Sequence, residues 1–170
     1  LELEDSIYLN SVEVNISGGS TAGGKIQIQV WDASTQAFGG GTQFGAPLTP
    51  TSSLYTLTAS DISNGSVKLP ILGTGNAKKL LPGSYYVGAT LFGNSGTDTV
   101  RVGSDLTIAQ EFEASVIYIP FSAGFGGVYT NGNAFNLAMN VAAVNPNTLP
   151  PLPVANGDTI YKYDFNSGIP

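Results

Sequence analysis

Four acids lie close together in one stretch of the chain: Asp98, Asp105, Glu111 and Glu113. A pair of carboxylates at a suitable separation can act as general acid and general base. The same region offers hard oxygen donors for calcium, with Asp98 and Asp105 as the leading ligands and Asp32, Asn131 and Asn133 as supporting ones. Neither pattern is specific. The acids fall in turns and at strand ends, nothing beside them would raise a carboxyl pKa, and no acidic spacing matches a calcium loop. The chemistry that is excluded is clearer. The 170 residues contain no histidine and no cysteine. A Ser-His-Asp or Cys-His nucleophile, a disulfide and a zinc–thiolate site are therefore all excluded. The expectation is a protein that is not an enzyme and has no cofactor, with a structural calcium as the one candidate ion.

A third constellation is aromatic. In "KIQIQVW" the apolar Ile26, Ile28 and Val30 alternate with Gln27, Gln29 and Trp31. Period-two alternation places the two sets on opposite faces of a strand. A flat indole beside two amides is a suitable platform for a sugar ring, so Trp31, Gln27 and Gln29 are the candidate ligand-binding residues. The alternative is that Trp31 sits at a strand end and packs under a loop such as 38–45. Tyr85, Tyr86 and Tyr118 read as core or cross-strand residues.

These side chains have to be positioned by strands. "SVEVNI" sets Val12, Val14 and Ile16 against Ser11, Glu13 and Asn15. Further strand candidates are 54–58, 67–72, 85–92, 99–108, 115–120 and 134–141. "SYYVGATLF" is apolar on both faces, which marks a central strand covered on both sides. Gly-rich turn signals separate the runs, among them "SGGSTAGG", "FGGGTQFG" and "GFGG". "TASDISNG" has the composition of one helical turn, with Ser60 or Asp61 as N-cap and Gly65 beyond its end. The fold class predicted is all-β: a jelly-roll-like antiparallel β-sandwich of about eight strands.

The composition bounds the setting. Only 11% of residues are charged and the net charge is −6, so there is no basic footprint for nucleic acid or for an anionic bilayer. No apolar run is long enough to span a membrane as a helix. Gly, Ser, Thr and Asn fill the polar positions, as in an extracellular β-protein. The lack of cysteine fits the cytosol or a bacterial exterior and argues against a small eukaryotic secreted module.

Residues 1–144 read as one β-sandwich domain. Residues 145–158, "NPNTLPPLPVANGD", read as a linker stiffened by Pro150, Pro151 and Pro153. Residues 159–170 then carry a strand-like run, "IYKYDF", which is either the first strand of a following module or the frayed final strand of this one.

Four segments in order, "SVEVNISGGSTAGGKIQIQVWDAS", "YTLTASDIS", "LLPGSYYVGATLFGN" and "VYTNGNAFNLAMN", resemble a module of secreted multidomain proteins of Bacteroidota, cargo of the type IX secretion system. The resemblance covers roughly residues 6–142. It implies a non-catalytic β-sandwich accessory domain, extracellular or on the bacterial cell surface, with a structural or adhesive role. The final "YKYDFNSGIP" resembles the opening strand of an anchor or MAM-like module, which makes other domains of the same chain the first partners. The resemblance also gives meaning to three tripeptides. "DSI", "DTV" and "DTI" place Ser6, Thr99 and Thr159 in the O-glycosylation acceptor pattern of such bacteria. The sequons at Asn15 and Asn64 matter only for a eukaryotic source.

Two other functions stay open. One is a carbohydrate-binding module attached to a larger enzyme, with a surface glycan as ligand through Trp31. The other is a subunit of an extracellular filament or surface layer, in which "LELE" and "IYKYDF" serve as exchanged strands in contact with another protein.

Overall fold

The computed structural model describes residues 1–34, 36–71, 78–93, 97–109, 113–119, 126–135 and 137–143. The linker and tail expected at 145–158 and 159–170 lie outside the described residues, as does Glu111. The fold is all-β, and among the described residues there is one short helix, α1 (Ala59–Asn64), and every strand pair is antiparallel.

Two sheets face each other. One runs β1 (Glu2–Leu3), β8 (Gly83–Phe92), β3 (Lys25–Asp32), β5 (Tyr55–Thr56). The other runs β13 (Leu137–Ala143), β2 (Ile7–Asn15), β6 (Ser66–Pro70), with β7 (Lys78–Leu80) pairing the first residues of β2. The period-two pattern of β2 and β3 explains the arrangement. Leu9, Val12 and Val14 from β2, and Ile26, Ile28 and Val30 from β3, are inaccessible to solvent and share one apolar cluster with Val67, Leu69, Ile71 and Leu80. Tyr85, Val87 and Ala89 of β8 pack on this cluster from one sheet, and Leu137 and Met139 of β13 from the other. The result is sandwich-like.

One residue interrupts the alternation of β2. The pairing with β13 steps from Ser11↔Asn140 to Leu9↔Val141 and skips Asn10. This β-bulge lets Leu9 and Val12 both face the core although their separation is odd. Ser11 keeps the outer-face position that alternation gives it, opposite the exposed Pro70 and Asn140, yet is only 7% exposed. The Asn10 amide donates to Asn140 Oδ1 at 3.1 Å, and its carbonyl accepts from the Ile71 N–H at 2.9 Å.

Two smaller sheets complete the described fold: β10 (Val116–Ile119), β11 (Gly127–Thr130), β4 (Gly39–Gly40), and β12 (Asn133–Phe135) with β9 (Ser104–Ala109). The described residues thus form thirteen strands where about eight were expected, because several have only two to four residues. β4 and β11 arise from glycines that read as turns. At Gly127 a Cβ would stand 2.5 Å from the Gly39 carbonyl oxygen, so glycine there permits close backbone approach. The run expected at 99–108 forms a strand only from Ser104, since Thr99 and Arg101 bond instead to the 17–21 loop: Thr21 N–H to Thr99 C=O at 2.8 Å and Ser17 N–H to Arg101 C=O at 2.9 Å.

The helical turn is present, but its N-cap is Thr58 rather than Ser60 or Asp61. The Thr58 hydroxyl accepts from the Asp61 N–H at 3.2 Å, and the Asp61 carboxylate accepts from the Thr58 N–H at 2.8 Å, from the Thr58 hydroxyl at 2.7 Å and from the Tyr55 hydroxyl at 3.0 Å. This is a reciprocal capping box. Gly65 ends the helix at φ +71.

Partial burial raises the Asp61 pKa, but the hydrogen bonds from Thr58 and Tyr55 outweigh it and hold the carboxyl below its ordinary value. A carboxyl depressed in the folded state adds stability above its unfolded value, about 4, and loses it as pH falls through the lower folded value. The Asp61→Asn variant should therefore show a shallower loss of stability than the parent in urea titrations below about pH 4. Ile28→Ala should cost about 2–5 kcal/mol at neutral pH in the same measurement, because Ile28 is fully buried.

Candidate functional site

The outer face of β3 presents Gln27, Gln29 and Trp31 as the alternation required. β8 places Thr90, Gly88 and Tyr86 directly opposite them. The three predicted residues are thus in line on one surface. Their polar groups are engaged by the protein itself. The Gln27 amide donates to Thr51 Oγ1 at 3.2 Å and to the Ser52 carbonyl at 3.0 Å. The Gln29 amide donates to Gln27 Oε1 at 3.3 Å, and the Thr90 hydroxyl donates to Gln29 Oε1. A ladder therefore crosses the sheet from Thr90 to the 51–52 segment.

That segment covers the free edge of β3 in pieces. The Leu48 N–H donates to the Val30 carbonyl at 2.7 Å, the Ser52 N–H to the Ile28 carbonyl at 3.0 Å, and the Ser52 hydroxyl accepts from the Ile28 N–H at 2.8 Å. Ser52 is 3% exposed. Buried polar groups require such partners, and the Gln27 contact fastens the segment from above the sheet.

Trp31 is half-buried. Phe44, from the loop after β4, meets the indole in a T-shaped contact with centroids 5.0 Å apart. Phe44 also lies 5.8 Å from Tyr86 and 6.1 Å from Tyr118 of β10. Edge-to-face and tilted pairs at these distances are favourable. Gly88 leaves room beneath the ring: a Cβ there would lie 3.5 Å from the indole Cζ3. The Tyr86 hydroxyl donates to the Glu113 carbonyl at 2.9 Å, and its pKa is raised by burial and by the nearby Glu113 charge. The aromatic cluster thus joins the β4–β11–β10 sheet to the outside of the main sheet. Tyr118 remains 41% exposed. The alternative reading of Trp31, packed under the 38–45 loop, describes this contact. Phe44, Thr51, Ser52 and Thr90 were missed. Only Thr90, opposite Gln27 on an outward face, had a signal in the strand pattern.

Of the candidate acids, Glu113 borders this surface at Tyr86. Asp98 lies against Gly23, where a Cβ would stand 2.8 Å from its Oδ1 at φ +103. Asp105 is in β9, in backbone register with Ala134; its side chain lies outside what is described. Asp32 caps its own turn, accepting from the Ser34 hydroxyl at 2.6 Å and the Ser34 N–H at 2.8 Å, and these bonds hold its carboxyl below the ordinary value. The Asn131 amide donates to the Asn133 carbonyl at 2.7 Å. Among the described residues, no three acids gather into a group that could hold a metal ion.

Of the acceptor sites, Thr99 is exposed and Ser6 is half-buried between β1 and β2; Thr159 lies outside the described residues. Lys78 is 6% exposed, with its ammonium donating to the Thr49 carbonyl, and burial lowers its pKa. A shallow groove of about 280 Å³ lies over Glu13, Asn15 and Ser66, where the Ser66 hydroxyl donates to Glu13 at 2.8 Å. Among the described residues, no helix is long and apolar enough to cross a membrane.

The chain matches no protein family, no curated protein and no solved structure.

Removing the Phe44 ring should uncover the indole. In Phe44→Ala, the emission of Trp31, the sole tryptophan, should shift to longer wavelength and become easier to quench with acrylamide. An unchanged spectrum would mean that the loop does not cover Trp31 in solution.

Proposed function

We propose that this chain is a non-catalytic, jelly-roll-like β-sandwich module of a secreted or surface-anchored multidomain bacterial protein, with a spacing, presenting or adhesive role. The observation that carries this reading is the engagement of the candidate side chains. Gln27, Gln29 and Thr90 bond to one another and to the 51–52 segment, and Trp31 packs on Phe44. Side chains used to fasten the framework support a structural part rather than a reaction centre. The lack of histidine and cysteine supports it too, as does a composition poor in charge and rich in Ser, Thr, Gly and Asn. The reading includes no cofactor.

A second reading, a carbohydrate-binding module, draws on the alignment of Gln27, Gln29 and Trp31 on one outer face with Tyr118 partly open beside them. The two are separated by one set of measurements: titration with soluble polysaccharides while following Trp31 fluorescence, and turnover assays on polysaccharides, esters and peptides. The expected result is no turnover and no saturable change. A saturable shift lost in Trp31→Ala would replace the first reading by the second. Turnover lost on substitution of one carboxylate would overturn both.

Export from a Bacteroidota source carries a further expectation, O-linked sugars at Ser6, Thr99 and Thr159. Thr99 is the more accessible of the two described sites. Intact mass and peptide mapping of protein from its native host should show a modified Thr99 peptide. Unmodified peptides covering all three sites would remove the modification and weaken the assigned setting.

A further inference from the structure

The described residues include two Asn-Gly pairs, Asn64–Gly65 and Asn131–Gly132. The side-chain carbonyl carbon of an asparagine can be attacked by the backbone nitrogen of the next residue. Glycine in that place has no side chain to hinder the approach. The structure arranges the two pairs in opposite ways.

Asn64 is the last residue of α1. Its side chain runs back along the helix, as helical side chains do, and its amide nitrogen reaches Ser60 Oγ at 3.5 Å. The Gly65 N–H is engaged at the helix end, donating to the Asp61 carbonyl at 3.0 Å and the Ile62 carbonyl at 3.3 Å. The reacting nitrogen and carbon are thus turned away from each other.

Asn131 joins β11 to β12. Its N–H donates to the Ser115 carbonyl at 2.7 Å, which continues the β10–β11 ladder by one step and fixes its backbone. Its side chain runs forward along the chain, with the amide donating to the Asn133 carbonyl at 2.7 Å. That bond brackets Gly132, so Asn131 Cγ is held along the peptide whose nitrogen would attack it. Gly132 itself is exposed, which gives water access to the product.

We propose that Asn131 is a site of spontaneous conversion to aspartate and isoaspartate, and that the fold protects Asn64 from the same reaction. The Gly132 nitrogen bonds to Asn131 Cγ as the Cγ–Nδ2 bond breaks. The proton of that nitrogen leaves with the amide group as ammonia, and a five-membered imide ring remains. Water then opens the ring. Cleavage at Cγ restores the ordinary backbone and gives aspartate. Cleavage at the backbone carbonyl leads the chain through the side chain and gives isoaspartate. No oxidant, reductant or cofactor enters. Either product puts a carboxylate where an amide donated to Asn133. A carboxylate only accepts hydrogen bonds, so the link across the β11–β12 corner is lost.

The full-length chain, kept folded at mildly alkaline pH and sampled over time by peptide mass mapping, tests this. Conversion at Asn131 should outpace conversion at Asn64 by roughly tenfold or more, the scale on which the placement of reacting groups changes rates. In urea, where neither side chain is held, the two rates should converge. Equal rates in the folded chain, faster conversion at Asn64, or no conversion at Asn131 would overturn the proposal. The same excess at Asn131 in urea would overturn it too, because the difference would then belong to the flanking residues rather than to the fold. The third pair, Asn156–Gly157, lies outside the described residues and is read as its own peptide.

Discussion

Ile26, Ile28 and Val30 on β3 and Leu9, Val12 and Val14 on β2 lie in one cluster with no exposure to water. These six side chains hold the two sheets face to face. Each buried aliphatic side chain of this size contributes roughly 1.5–3 kcal/mol relative to exposure. The constraint sets the rest of the molecule. Because β3 must turn its aliphatic side inward, Gln27, Gln29 and Trp31 must lie outside, and whatever polar and aromatic chemistry the domain presents on that sheet is confined to them and their neighbours on β8.

With so few charges, the protein satisfies its backbone by hydroxyls and amides. Ser52 and Gln27 fasten the irregular 48–56 stretch along β3, Thr58 and Asp61 close the helix start, and Ser20 and Thr21 tie the 17–21 loop to Thr99 and Arg101. The neutral hydrogen bonds among these are each modest, about 1 kcal/mol net, but leaving a buried backbone group unpaired costs more. The abundance of Ser and Thr, which suggests exposure when read as composition, is therefore partly an internal matter.

The sequence made β2, β3 and β8 readable because their side chains alternate cleanly or are continuously apolar, and it placed Trp31 with Gln27 and Gln29 on one face correctly. It left out β7 because "KKL" has no alternation, although Lys78 is buried there. It read Gly39–Gly40 and Gly127 as turns because glycine marks close backbone approach as readily as chain reversal. The Phe44 contact with Trp31 was not legible in local pattern, since it joins a loop to a strand through tertiary packing alone. Asp61 was placed near the helix start, but its role as the third residue of a capping box, rather than the cap, depends on the extended backbone of Thr58.

The extra residue at Asn10 divides β2 into two halves with opposite side-chain phase. The first half pairs with β7 and the second with β6. A sheet with uniform alternation can slide by two residues and keep its apolar side inward. β2 cannot, because the phase changes at one fixed point and β13 must cross that point at Asn140. Asn10 thus works as a vernier mark on the chain: it makes the alignment of three strands single-valued, and it does so with a side chain that carries no charge and lies at the rim of the core.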